Sequence, residues 1–121
     1  MEKLQAWSDC GGEIERSYTK DEILTNVTLT WLTETIASSM RMYRANGAIP
    51  PAQHVRRVEV ASGCALFAGD ILRPPRAWLE RTANVVRATE PPSGGHFAPF
   101  EEPEIYADEL RAFFRPHRAA G

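Results

Sequence analysis

The chain has 121 residues, about the size of one small domain. Hydrophobic residues make up 43% and charged residues 25%, with 8 Gly and 9 Pro, which excludes collagen-like, low-complexity and wholly disordered chains. Lys and Arg number 14 against 16 Asp and Glu, so a net charge of −2 gives nucleic-acid binding no electrostatic support. No apolar run approaches the ~20 residues of a transmembrane helix. The first ten residues lack the apolar stretch of a signal peptide. Two cysteines, Cys10 and Cys64, are too few for a disulfide scaffold, and the cytoplasm is the default compartment.

Residues 1–17 are mixed in character and interrupted by Gly11 and Gly12, which predicts irregular structure with at most one short extended piece. Thr19 and Glu22 then form the S/T-x-x-E pattern, in which hydroxyl and carboxylate satisfy orphan amides at a helix start. Leu29, Leu32, Ile36, Met40 and Tyr43 recur at spacings of 3, 4, 4 and 3, and so share one helix face. Ile23, Val27 and Trp31 make an adjoining stripe. The pattern predicts one helix from about Lys20 to about Ala45, buried on a wide arc and stopping near Asn46-Gly47, before Pro50 and Pro51. Val58, Val60, Ala65, Leu66 and Phe67 predict a strand near Cys64–Phe67 with a lead-in at Arg57–Val60. Ala68-Gly69-Asp70 ends it. A short helix is predicted over Pro75–Arg81, carrying Trp78 and Leu79, and a second strand over Ala83–Thr89. After a loop at 91–95, a last helix should begin near Pro103, with Glu101, Glu102 and Glu104 at its positive end. Its apolar face is Ile105, Leu110, Phe113 and Phe114, and Arg115–Gly121 reads as a frayed tail.

The order helix, strand, helix, strand, helix is α/β. Two strands joined through a helix should pair in parallel, and parallel strands are normally buried on both faces. Two strands alone do not make a stable parallel sheet, so sheet neighbours are expected from elsewhere.

Asp70 follows one predicted strand and His96 the other, 26 residues apart. Ligands and catalytic groups gather at the carboxyl ends of parallel strands, so the two can sit side by side. A carboxylate beside an imidazole fixes its tautomer and leaves the other nitrogen free as a base. The plainer alternative makes Asp70 a helix cap and His96 a loop histidine. Tyr43, by pattern alone, is a core residue with a polar tip. Cys10, Cys64, His54, His96 and His117 show no metal-ligand spacing, so no metal is expected, and Cys64 reads as a small buried hydrophobe. Ser62-Gly63 and Ser93-Gly94-Gly95 match no phosphate cradle or dinucleotide fingerprint, so no cofactor is expected.

Several stretches resemble one family. The segment from Lys20 to Leu32, with Thr35 to Tyr43, is similar to the cap-to-core region of microsomal-type epoxide hydrolases of the α/β-hydrolase superfamily. Leu66-Phe-Ala-Gly-Asp-Ile71 resembles the family's acid turn. Gly94-Gly-His-Phe-Ala98 and Glu101-Glu-Pro-Glu104 resemble its histidine loop and final helix, and Arg111-Ala-Phe-Phe-Arg115 the end of that helix. The resemblance, from about Ala6 to Arg118, is to the C-terminal third of such an enzyme. It implies a partial α/β-hydrolase fold, comprising the last cap/core helix and the final two parallel strands with their helices. A cap-proximal long helix would occupy about 18–47, and a strand-helix-strand-helix unit 55–118.

The resemblance also implies roles. His96 corresponds to the general base that activates water, and Asp70 to the acid that orients it. Tyr43 corresponds to one of two tyrosines that hydrogen-bond the epoxide oxygen. The implied reaction turns a small apolar epoxide and water into a vicinal diol through an aspartyl ester, without a cofactor. The family's G-x-D-x-G-like nucleophile elbow and H-G-x-P-like oxyanion segment do not occur in these 121 residues. Asp9 is not on such an elbow, and Tyr18 and Tyr106 are not at the second tyrosine's position. Glu34 stands where the family usually has a small Gly, Thr30 where it has an aromatic, and Ala68 where it has Pro. The chain alone is therefore expected to be nearly inactive, with a complementing N-terminal piece or self-association supplying the missing neighbours. The alternative is a non-catalytic remnant or a self-associating interaction module.

Overall fold

Thr19 opens the first long helix as its motif requires. In the computed structural model, which describes residues 2–54 and 56–118, the Thr19 amide donates to Glu22 Oε2 at 2.8 Å, and the Glu22 amide donates to Thr19 Oγ1 at 3.2 Å. The chain divides into two compact units, residues 19–56 and residues 1–18 with 57–121.

In the first of these units the single helix predicted for 20–45 is three helices. They are α2 (Lys20–Leu32), α3 (Ile36–Ser39) and α4 (Arg41–Gly47), followed by one turn, α5 (Pro51–His54). The break falls where hydroxyl side chains compete for backbone carbonyls. Thr30 Oγ1 donates to Asn26 O at 2.9 Å and Thr33 Oγ1 to Leu29 O at 2.6 Å, contacts that bend and end helices. Glu34 then adopts φ +53°, alone among the described non-glycine residues in being left-handed. Side-chain periodicity says nothing about such a reversal, so the apolar stripe read as one helix. The stripe is also not buried. Leu29, Leu32, Ile36, Met40 and Tyr43 are all exposed, and of the unit's apolar residues only Ile23 is buried among those described. Periodicity finds the apolar face but not whether this chain supplies anything to cover it.

The other unit opens with α1 (Glu2–Trp7) and a 3-10 turn at Ile14–Arg16, where irregular structure was predicted. Its centre is a parallel pair, β1 (Val58–Ala65) and β2 (Ala83–Thr89), joined through α6 (Arg76–Thr82). The register runs from Val58 opposite Ala83 to Ala65 opposite Thr89, with irregularities between Val58 and Ala61 and between Ser62 and Gly63. The second strand lies where it was predicted. The first is earlier: the expected strand at Cys64–Phe67 is the end of a longer one. Leu66 still donates to Thr89 O at 2.9 Å, and Phe67 turns into the core. The small residues Ala61, Ser62 and Gly63 carry no strand signal, yet all three pair with β2, and Phe113 lies close over Gly63. A Cβ on Gly63 would lie 2.6 Å from Phe113 Cδ2, on α8 (Pro103–Phe114).

A one-turn helix, α7 (Ala98–Glu101), precedes α8, and a 3-10 turn at Arg115–His117 follows it. Residues 119–121 of the predicted tail, and Val55 at the start of the predicted second unit, lie outside the described residues. Cys10, Tyr18, Phe67, Val85 and Ala98 form the buried core of this unit. Cys64, expected to be buried, is only partly so. Cys10 is the fully buried thiol, and both are free. Among the described residues no helix is long and apolar enough to cross a membrane.

Candidate active site

Parallel pairing sends both strands' carboxyl ends to one edge, where the chain turns at Phe67–Asp70 and again at Gly94–Phe97. The two turns are tied directly: the Gly69 amide donates to Gly94 O at 2.9 Å. Across them His96 Nδ1 lies 3.1 Å from Asp70 Oδ1. Asp70 Oδ1 also accepts the Ile71 amide at 2.7 Å, which fixes the carboxylate in its turn. A carboxylate can only accept, so in a neutral imidazole this contact favours the tautomer with the proton on Nδ1 and the lone pair on Nε2. No hydrogen bond to Nε2 occurs among the described residues. The imidazole side chain is 41% exposed, so water reaches it.

The ring packs edge-on against two aromatics, Trp7 and Phe97, which stack on each other at 6.5 Å. Trp7 meets it at a centroid distance of 5.1 Å and an interplanar angle of 80°, and Phe97 at 5.2 Å and 82°. The His96 amide donates to Trp7 O at 2.9 Å. Nearby, Tyr18 and Ser8 share a hydroxyl–hydroxyl hydrogen bond of 2.7 Å, and burial, with the Glu101 charge adding to it, pushes the Tyr18 phenol above its ordinary value. An open cavity of about 490 Å³ borders the pair, with Phe67, Tyr106, Glu109 and Phe113 in its wall beside Asp70 and His96. Glu109 there accepts from Arg87 Nη2 at 3.0 Å and Thr89 Oγ1 at 2.9 Å, so its charge is matched within the wall.

Of the three residues singled out from the sequence, the structure brings Asp70 and His96 together. Tyr43 lies in the other unit, on α4, with its side chain exposed rather than serving as a core residue. No group of three or more His, Cys, Asp or Glu side chains suited to a metal occurs among the described residues. Sequence reasoning missed Trp7, which packs on His96, and misplaced Glu101. That carboxylate, expected at the positive end of the last helix, is the last residue of α7 and turns back to the histidine loop. It accepts the Phe97 amide at 2.9 Å and the Gly95 amide at 3.0 Å. Its four-residue spacing behind Phe97 was a usable signal, overshadowed by the Pro103 helix start.

No family model matches the chain. It is, however, 40% identical over 119 residues to a putative epoxide hydrolase of Stigmatella aurantiaca, covering 98% of the chain and 27% of that protein. It is 34% identical to epoxide hydrolase 1 of Sus scrofa, covering 93% of the chain and 27% of the relative. Its fold is similar to the juvenile hormone epoxide hydrolase of the silkworm Bombyx mori, at a TM-score of 0.82 and 28% identity over 95% of the chain and 31% of that structure. The Aspergillus niger epoxide hydrolase gives a TM-score of 0.78 at 28% identity, covering 95% of the chain and 28% of that structure. The chain thus spans about 27% of the length of these curated relatives. In sequence and in fold alike, it is a homologue of part of the α/β-hydrolase epoxide hydrolases.

Proposed function

We propose that these residues form the water-activating part of an epoxide hydrolase, corresponding to its C-terminal portion. The observation that carries the reading is the 3.1 Å contact between His96 Nδ1 and Asp70 Oδ1, with Nε2 left clear. In the reaction, a carboxylate outside the motifs of this chain attacks an epoxide carbon. The C–O bond breaks, and the Tyr43 hydroxyl gives its proton to the leaving alkoxide. The product is a hydroxyalkyl ester. His96 Nε2 then takes a proton from water as that water attacks the ester carbonyl. Collapse expels the second diol oxygen, which takes the proton from the imidazolium; the carboxylic acid left behind gives its remaining proton back to the Tyr43 phenolate, so carboxylate and phenol are both restored. Asp70 holds the ring in the required tautomer and offsets its transient charge. The substrate class is a small apolar epoxide.

A positioned base supplies about 10²–10⁴ in rate. Removing a nucleophile from a unit that acts together costs about as much as removing the whole unit. The chain alone should therefore make no measurable diol. The test joins it, in place of the matching segment, to the remainder of the Stigmatella aurantiaca relative. This chimera should convert styrene oxide to its diol, and its His96→Gln form should stop at a covalent ester visible by mass spectrometry. Continued turnover by the His96→Gln form would overturn the reading. A second reading, a non-catalytic self-associating module, draws on the bare Val58, Val60 and Val86 side chains of the sheet and the exposed Trp31 and Leu32. A folded, concentration-dependent dimer in sedimentation, together with an inactive chimera, would favour it.

A further inference from the structure

Four consecutive backbone amides carry the histidine loop, and each has a partner far away in sequence or turned back onto it. The Gly94 amide donates to Asp9 Oδ2 at 3.1 Å. The Gly95 amide donates to Glu101 Oε2 at 3.0 Å, the His96 amide to Trp7 O at 2.9 Å, and the Phe97 amide to Glu101 Oε1 at 2.9 Å. Glu101 accepts a third donor at Oε2, the Asp9 amide, at 2.6 Å. One carboxylate thus brackets His96 on both sides and binds its loop to the segment that carries Trp7. The approach is close: a Cβ on Gly95 would lie 2.6 Å from the Asp9 nitrogen.

We infer that Glu101 is a positioning residue for His96: by gathering the amides of Asp9, Gly95 and Phe97 it sets the loop so that Nδ1 meets Asp70. Both of its oxygens are used, three donors converge on it, and it lies only half exposed. An amide side chain can offer one oxygen to one side of the fork and must turn an NH2 group toward the other. An aspartate falls one methylene short of spanning Asp9, Gly95 and Phe97 together. Without the carboxylate the three amides lose a charged acceptor, the loop relaxes, and the ring swings off Asp70. The inference rests on the reading of His96 as the base.

Nitrogen-15 NMR of the His96 imidazole in the full chain tests it, read with amide exchange. The wild-type ring should be protonated at Nδ1 and bare at Nε2. Glu101→Ala should move the neutral ring toward the Nε2-protonated form. It should also speed exchange of the Gly95 and Phe97 amides by about ten- to a hundredfold, the size expected for lost bonds to a charged group. The amides of Val85 and Arg87 should stay protected, which a general loosening would not allow. Glu104→Ala, on the exposed first turn of α8, should change neither readout. If Glu101→Ala loses its strand signals, Glu101→Gln decides, with Gly95 or Phe97 alone expected to exchange faster and the tautomer partly shifted. A wild-type ring protonated at Nε2 would sink the reading of the Asp70–His96 pair itself. A wild-type ring protonated at Nδ1 that stays so in both Glu101 variants would overturn the positioning role alone.

Discussion

Gly95→Ala should be the most damaging small substitution in the candidate site. A Cβ there would lie 2.6 Å from the Asp9 nitrogen, 2.7 Å from Trp7 O and 2.9 Å from the Ser8 carbonyl carbon. Ordinary carbon contacts are about 3.5–4.0 Å, so residues 7–9 would have to withdraw by about 1 Å. Every one of these neighbours is backbone, and no rotamer change relieves the clash. Overpacking of this kind costs about 1–3 kcal/mol. The withdrawal also stretches the His96 amide bond to Trp7 O and the Asp9 amide bond to Glu101, a neutral and a charge-assisted hydrogen bond. Such bonds are worth about 1 and about 1.5–3 kcal/mol, and they share one displacement, so the costs overlap. A net loss of about 3 kcal/mol is expected, or about 12–24 °C in melting temperature for a domain near 100 residues. Urea unfolding followed by tryptophan fluorescence measures it, since Trp7 packs on the His96 ring. Gly47→Ala, where nothing lies within 4 Å, is the control and should be neutral or stabilising by about 0.5 kcal/mol. A Gly95→Ala chain within about 1 kcal/mol of wild type would refute the packing argument.

Asp70→Asn should keep the His96 tautomer, because a single oxygen, Oδ1, takes both the Ile71 amide and Nδ1, and an asparagine oxygen can do the same; Asp70→Ala should lose it, as imidazole nitrogen-15 shifts would show. The Tyr18 phenol is pushed up by burial, so its contribution to stability is fully present below the ordinary tyrosine value and is lost as the pH climbs toward the raised one; Tyr18→Phe should flatten that alkaline limb in denaturation curves. Glu22 is held below the ordinary carboxylate range, first by the Thr19 amide and then by the Thr19 hydroxyl, so helix α2 should lose circular-dichroism signal as the pH falls through that range, and Glu22→Gln should lack the response. Glu34→Gly, at φ +53°, should stabilise the 19–56 unit by about 1 kcal/mol in thermal unfolding, since a left-handed residue with a Cβ costs about 1–2 kcal/mol.

The parts of the fold that are written locally were legible. The Thr19–Glu22 box, the β-branched centre of β2 and the Pro103 start of α8 each rest on a few adjacent residues, and each stands where its residues place it. The parts that depend on contact were not. Gly63 is in the strand because it pairs with Arg87, and it must stay small because Phe113, fifty positions on, lies over it. The break at residue 34 shows the same limit from the other side. Nothing in an apolar period of 3.6 registers a single left-handed peptide, yet the resemblance puts a glycine at that position, the residue type a positive φ favours.

The candidate site divides along the same line. Asp70 and His96 could be paired from the sequence because topology alone decides it: parallel strands have one carboxyl edge, and both residues follow a strand. How firmly the imidazole is aimed is a separate matter, and no strand or helix pattern encodes it. That depends on Trp7 and Asp9, more than eighty positions upstream, and on a glutamate whose nearest obvious employment was the dipole of a helix that starts two residues later. Its carboxylate instead turns toward the loop before it, where three donors converge. Three backbone amides sharing one acid cannot all be resatisfied when it is cut back, whereas a charge at an exposed helix start is worth only about 0.3–1 kcal/mol. The damage done by replacing Glu101, set beside that of replacing Glu104, therefore separates the two employments.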